Sequence, residues 1–231
     1  MLFGQLLLGL INGSFYALLS LGLAIIFGLL DVVNFAHGAL YMLGAFLAWI
    51  ALDSFGVSYW WALLLSPLAA ALVGAVIERL MLRRLYGLDN VYGLLLTFGL
   101  ALILEGLFHE QYGNSGSPYP VPELLQGGFR LPFMFLPRYR AWVVLSSMVV
   151  CFGAWLVIER TKLGSYLRAG TENPHLVQAF GINVPLMRTL TYAVGVGLAA
   201  LAGVMAAPVY QVSPAMGSNV IIIVFAVVVI G

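Results

Sequence analysis

The sequence predicts an all-α fold: a polytopic membrane protein of about six to eight spans. Composition is the first reason. The chain is 62% hydrophobic and 8% charged, with a mean hydropathy of +1.03, where a soluble domain carries roughly 25% charged residues. A water-facing surface cannot be built from so few charges. The second reason is that long apolar runs recur along all 231 residues, and a span takes about 20 residues. The same composition excludes intrinsic disorder. A net charge of +1 leaves no basic field for nucleic acid. The single cysteine, Cys151, excludes an internal disulfide and a cysteine-based zinc cluster, and no metal site is expected. The N-terminal MLFGQLLLGL lacks the basic start of a cleavable signal peptide.

The first run, Leu6 to Leu30, has no charge over 25 residues. Gly9, Gly13 and Ala17, then Ser20, Ala24 and Gly28, recur every four residues, a spacing that admits close helix packing. Asp31 to Gly38 (DVVNFAHG) is polar and short. The second run, Ala39 to Leu52, has only about 14 residues. Residues 31–38 are therefore either a tight hairpin or a re-entrant break, and the short second run favours the break. The third run is Trp60 to Leu82, with Glu78 and Arg79 near its end, where the adjacent pair suits a membrane interface. The fourth is Val91 to Phe108, with Glu105 inside it. Residues 111–140 hold Pro118, Pro120, Pro122, Pro132 and Pro137 and read as an extramembrane loop. The fifth run is Ala141 to Ile158, followed by the polar stretch 159–188, and the sixth is Leu190 to Tyr210. Within the sixth, Gly195, Ala199, Gly203 and Ala207 form the clearest small stripe, expected to be a tight helix–helix seam within the chain or against a second membrane subunit. A seventh run from Val220 is too short for a span, which suggests a C-terminal truncation.

Positive charge marks the cytoplasmic side. Arg79, Arg83 and Arg84, and the basic loop 159–188, are both placed inside by this rule and are separated by two spans, so they agree. Loop 111–140 is then external, although it carries Arg130, Arg138 and Arg140. A hairpin at 31–38 would put the N-terminus outside, and a break would put it inside.

Residues 171–181 read TENPHLVQAFG. Asn173 suits an N-cap, Pro174 the first helical position, and Gly181 a left-handed stop. A helix of about two turns is predicted over 174–180, with Leu176, Val177 and Phe180 on one face. It should lie on the membrane surface or dock into another protein. A further break is expected at Val184-Pro185. The only lysine, Lys162, stands in ERTKLG, which is no phosphate-binding loop. ATP-driven transport would therefore use a separate subunit.

Among single residues, Asn12, Ser14 and Tyr16 are polar points in the first span that can face a translocation path or serve helix contacts. Asn34 and His37 flank the break and can line the path or cap freed backbone. Glu105 is an ionisable group inside a span, with structural hydrogen bonding as the simpler role. His109 and His175 lack metal-site spacing.

Two stretches then carry a resemblance. GLINGSFYALLSLGLAIIFGLLDVVNFAHGALYMLGAF and RAGTENPHLVQAFGINVPLMRTLTYAVGVGLAALAGV resemble the LivH-type permeases, the membrane subunits of ABC importers for branched-chain amino acids. The likeness runs from about Gly9 to the end and is weakest in loop 111–140. It implies an alternating-access permease of a bacterial or archaeal cytoplasmic (inner) membrane. It implies as partners a second homologous permease, two ATPase subunits that bind ATP and Mg, and a periplasmic or extracellular substrate-binding protein; no cofactor is implied in this chain. Ala169, Glu172 and Gly181 fall where the family's ATPase-coupling motif lies, with Gln178 on the short helix between them. Glu172 is followed by Asn173 and Pro174 rather than the usual paired alanines. Related permeases carry urea or short amides. A secondary transporter would predict more buried ionisable groups than Glu105, and an intramembrane enzyme a nucleophile or metal motif that is missing here.

Overall fold

The computed structural model describes residues 2–30, 32–131 and 134–230. Asp31, Pro132 and Gly231, read above as part of the break, a loop proline and the end of the seventh run, lie outside the described residues. The helices are α1 (Leu2–Leu30), α2 (Ala36–Phe55), α3 (Tyr59–Leu80), α4 (Asn90–Tyr112), α5 (Arg138–Arg160), α6 (Lys162–Glu172), α7 (Pro174–Ala179), α8 (Val184–Tyr210) and α9 (Ser218–Ile230). Six helical segments among the described residues are long and apolar enough to cross a membrane. The exposed large side chains of α3, α4 and α5, such as Leu68, Leu72, Leu102, Ile103, Val149 and Phe152, suit a lipid-facing perimeter.

Helix α8 is the axis. It packs on α1, α2 and α3, and its residues Gly195, Ala199, Gly203 and Ala207 are all buried. Lipid gives helices no hydrophobic reason to associate, so close packing must do it. A Cβ at Gly203 would collide with the Tyr41 carbonyl of α2, and one at Gly195 would meet Ile26 of α1. The stripe is thus a seam inside the chain, not a permease–permease surface. The first-span spacing behaves differently. Nothing lies within 4 Å of a Cβ at Gly9, Gly13 or Gly28, and although Ser20 of the same series is buried, the close-packing residue of α1 is Gly22, against Gly195.

Several boundaries differ from the sequence expectation. The second run is a full 20-residue helix, because Ala36, His37 and Gly38 join it at one end and Asp53 to Phe55 at the other. Val184-Pro185 is no break. Asn183 accepts a hydrogen bond from the Leu186 N–H (3.1 Å) and Pro185 sits in the first turn, so α8 starts there and takes Arg188 with it. Helix α6, unforeseen, fills much of the basic loop. Loop 111–140 contains a hairpin, β1 (Gly128–Leu131) with β2 (Met134–Pro137), and α5 begins at Arg138.

The bundle has two distinct ends. Leu30, Leu82, Tyr86, Asp89, Thr171 and Arg188 share a cavity at one. At the other, Tyr139 donates to the Met205 carbonyl (2.8 Å) and meets the Tyr59 hydroxyl (3.0 Å). Ser117 pairs with Val212 there, folding the 113–122 loop over the end of α8. Seven of the ten lysines and arginines belong to the first end (Arg79, Arg83, Arg84, Arg160, Lys162, Arg168, Arg188) and three to the second (Arg130, Arg138, Arg140).

Candidate functional site: two broken segments around a central cavity

Residues 32–35 are not helical. They leave the C-terminal end of α1 and turn back into the bundle beside α4. The Phe35 N–H donates to Thr97 Oγ1 (3.2 Å), and that hydroxyl lies 3.2 Å from the Val33 carbonyl. Thr97 is fully buried and stands seven residues inside α4. Backbone at membrane depth must find partners inside the protein, and Thr97 supplies them. No local signal near residue 35 announces it. The break therefore exists together with a full second helix. Because α1 runs opposite to α8 (Asn12 meets Tyr210, Gly22 meets Gly195), Leu2 lies at the end away from α6 and α7. The expected link between a break and an inside N-terminus fails for this reason: the chain enters the bundle and leaves it as a hairpin does.

A second irregular segment, residues 211–217, comes from the opposite end of α8. It carries Gln211 at φ 63 and a single turn at Pro214–Met216. Helix α9 then descends along α4: Ser218 donates to Glu105 (3.2 Å), and Phe225 packs on Phe35, which meets Phe98. Seven residues separate each pair of landmarks, in opposite order. The two breaks meet where Gly38 touches Gly217; a Cβ at either would strike the other's carbonyl.

A cavity of about 240 Å³ opens at this junction, lined by Phe15, Tyr16, Leu19, Tyr41, Tyr210, Ser213, Met216, Asn219 and Val220. It offers hydroxyls and one amide among apolar walls, and no charged side chain. Pockets for drug-sized ligands run to roughly 300–1,000 Å³; this one suits a smaller solute. Of the residues proposed from sequence for the path, Tyr16 lines the cavity. Asn12 is at its outer rim, accepting from the Tyr210 hydroxyl (3.1 Å). Ser14 does not line it; its hydroxyl donates to the Ile11 carbonyl of its own helix (2.7 Å). Asn34 and His37 are completely buried on the inner side of the junction. His37 Nε2 pairs with the Leu19 carbonyl (3.0 Å), while its Nδ1 and both amide atoms of Asn34 have no protein partner. Glu105 stands on the far side of α9, held by Ser218. Tyr41, Tyr210, Ser213 and Asn219 were missed. Tyr41 and Tyr210 lie within apolar runs, and the other two lie in the short polar stretch between the sixth and seventh runs.

At the basic end, α7 forms as its capping signals specify: Asn173 accepts from the Leu176 N–H (3.0 Å) and Gly181 is left-handed at φ 81. Only Val177 of its apolar face is buried; Leu176 and Phe180 are exposed. Ala169, Glu172, Gln178 and Gly181 are all exposed on the same α6–α7 surface. Glu78 stands two residues before the end of α3, the level the sequence reading gave it. It is fully buried and accepts a hydrogen bond from Thr189 (2.5 Å). Beside it, burial pushes the Tyr86 hydroxyl far above the ordinary phenol value, and the Glu78 carboxylate adds to the effect.

A membrane-spanning bundle whose helices break around a small uncharged cavity defines a polytopic transport protein. The chain belongs to the family of branched-chain amino acid transport system permease components, whose family model matches residues 5–231. It is 30% identical over 227 residues to the high-affinity branched-chain amino acid permease protein BraD of Pseudomonas aeruginosa, covering 92% of this chain and 73% of BraD. It is 29% identical over 232 residues to a probable LivH permease of Methanocaldococcus jannaschii, covering 96% and 71%. A probable LivM permease of the same archaeon is 38% identical over 72 residues, covering 29% and 21%. No solved structure matches.

Proposed function

We propose that this chain is the gated membrane subunit of an ATP-driven importer for branched-chain amino acids. The observation that carries this reading is the uncharged, aromatic-lined cavity at the meeting of two broken segments, in a chain of this family. Broken helices place a binding site within the bundle in many transporters. A zwitterion with an apolar side chain needs hydrogen-bonding groups for its ends and apolar wall for its body, which Tyr41, Tyr210, Ser213, Asn219 and Met216 offer together.

The basic end faces the cytoplasm of a bacterial or archaeal inner membrane by the seven-to-three charge division. ATP and Mg are bound by two separate ATPase subunits, which grip α6 and α7 at Ala169, Glu172, Gln178 and Gly181, with Leu176 and Phe180 as apolar anchors. A substrate-binding protein delivers the amino acid at the opposite end. The second permease is a distinct homologue, as the LivH and LivM likenesses within one archaeon suggest. Closure of the ATPase pair displaces α7, and the differential affinity of its ATP-bound form for the displaced state biases the equilibrium.

The test is uptake into proteoliposomes holding the assembled importer. Leucine, isoleucine or valine should accumulate with ATP inside. Accumulation of urea or acetamide in preference to all three would overturn the substrate assignment.

A further inference from the structure

Glu78 is a fully buried carboxylate two residues before the end of α3, with one protein partner, Thr189; its Oε1 has none. A buried charge left without a counter-ion is expensive and marks function more often than stability. The only ion pair among the described residues is Arg168–Glu159. Yet a cation is close. Arg188, adjacent to Thr189 on α8, lies over the Tyr86 ring at 4.9 Å. Glu78 and Arg188 face one cavity of about 160 Å³, whose other walls are Arg83, Tyr86, Gln178, Val184 and Pro185. Gln178 belongs to α7. Along α8, one turn beyond Arg188, Tyr192 is fully buried, with its hydroxyl on the Asn34 side. Asn34 lies within the break and is three residues from His37. Buried polar atoms of Glu78, Tyr86, Tyr192, Asn34 and His37 lack protein partners, an unusual density for a native interior.

We propose that Glu78 and Arg188 form a two-position switch that transmits movement of α7 to the broken segment at residues 32–37. The structure shows the open position, with the guanidinium stacked on Tyr86. When α7 and the start of α8 move, the shared cavity closes, Arg188 leaves Tyr86 and its guanidinium binds the Glu78 carboxylate. The accompanying shift of α8 carries Tyr192 against Asn34 and re-aims the break. Such an element has the bistability that long-range coupling requires. Glu78 and Arg188 are positioning residues, since neither lines the solute cavity. This inference rests on the proposed ATPase coupling.

The test uses the assembled importer. In a Cys151→Ser background, Glu78→Cys with Arg188→Cys should cross-link under mild oxidation at least fivefold faster in the ATP-trapped state than without nucleotide. Separately, Glu78→Gln keeps an acceptor for Thr189 but removes the charge. It should lower leucine uptake per ATP hydrolysed at least tenfold while hydrolysis continues. A merely structural role would lower uptake and hydrolysis in proportion. Equal cross-linking in both states, or an unchanged uptake-to-hydrolysis ratio, overturns the switch. Wild-type importer that takes up nothing on ATP addition would instead overturn the functional reading itself.

Discussion

Thr97→Val is the sharpest probe of how the broken segment is held. The substitution keeps the side chain's shape and removes its oxygen. The Phe35 N–H then loses its 3.2 Å partner, and the Val33 carbonyl loses the hydroxyl 3.2 Å away. Thr97 is completely enclosed, so solvent cannot replace it. One buried group left unsatisfied costs about 1–3 kcal/mol. For a chain of this size each kcal/mol moves the midpoint by about 2–4 °C, so a fall of roughly 2–12 °C is expected. Thr97→Ser restores the oxygen and should return most of the loss. Thermal unfolding of the purified protein in one detergent measures all three. A valine variant as stable as the wild type, or a serine variant as unstable as valine, would refute the role given to Thr97.

Tyr139→Phe strips the Met205 carbonyl and the Tyr59 hydroxyl of their shared partner; the same unfolding assay should show a loss of about 1–3 kcal/mol. Phe180→Asp changes a residue that is 77% exposed, so the isolated chain should unfold as the wild type does while co-purification with the ATPase subunits falls at least tenfold. Met216→Trp takes space from the solute cavity. Competition uptake should show isoleucine and leucine losing more than alanine, because the lost volume is that of the side chain.

Local chemistry made some of this architecture readable. Helix α7 is specified within nine residues: Asn173 caps, Pro174 starts and Gly181 stops it. The spans follow from hydrophobic run length. What depended on distant partners was hidden. The satisfying group for the break at residue 35 sits 62 positions away at Thr97. The full burial of Glu78 was hidden too, since nothing local says that Thr189 arrives to cover it. Two helices carry small residues every fourth position, yet only the α8 stripe is packed at every position, because spacing records what a face permits and not which neighbour comes. The solute cavity was only partly legible for the same reason. Tyr16 and Asn12 stood out as polar points in an apolar span, whereas Ser213 and Asn219 acquire their place only when the second break turns back to meet Gly38.

The account's central claim is that a separate, ATP-consuming partner moves this gate by holding α7. A single cysteine at Gln178, with Cys151→Ser, measures it most directly in inside-out and right-side-out membrane vesicles carrying the whole importer. The cysteine should react with an impermeant maleimide only in inside-out vesicles, and the ATPase subunits should shield it. Labelling from the outer face, or labelling indifferent to the presence of the ATPase subunits, would contradict it.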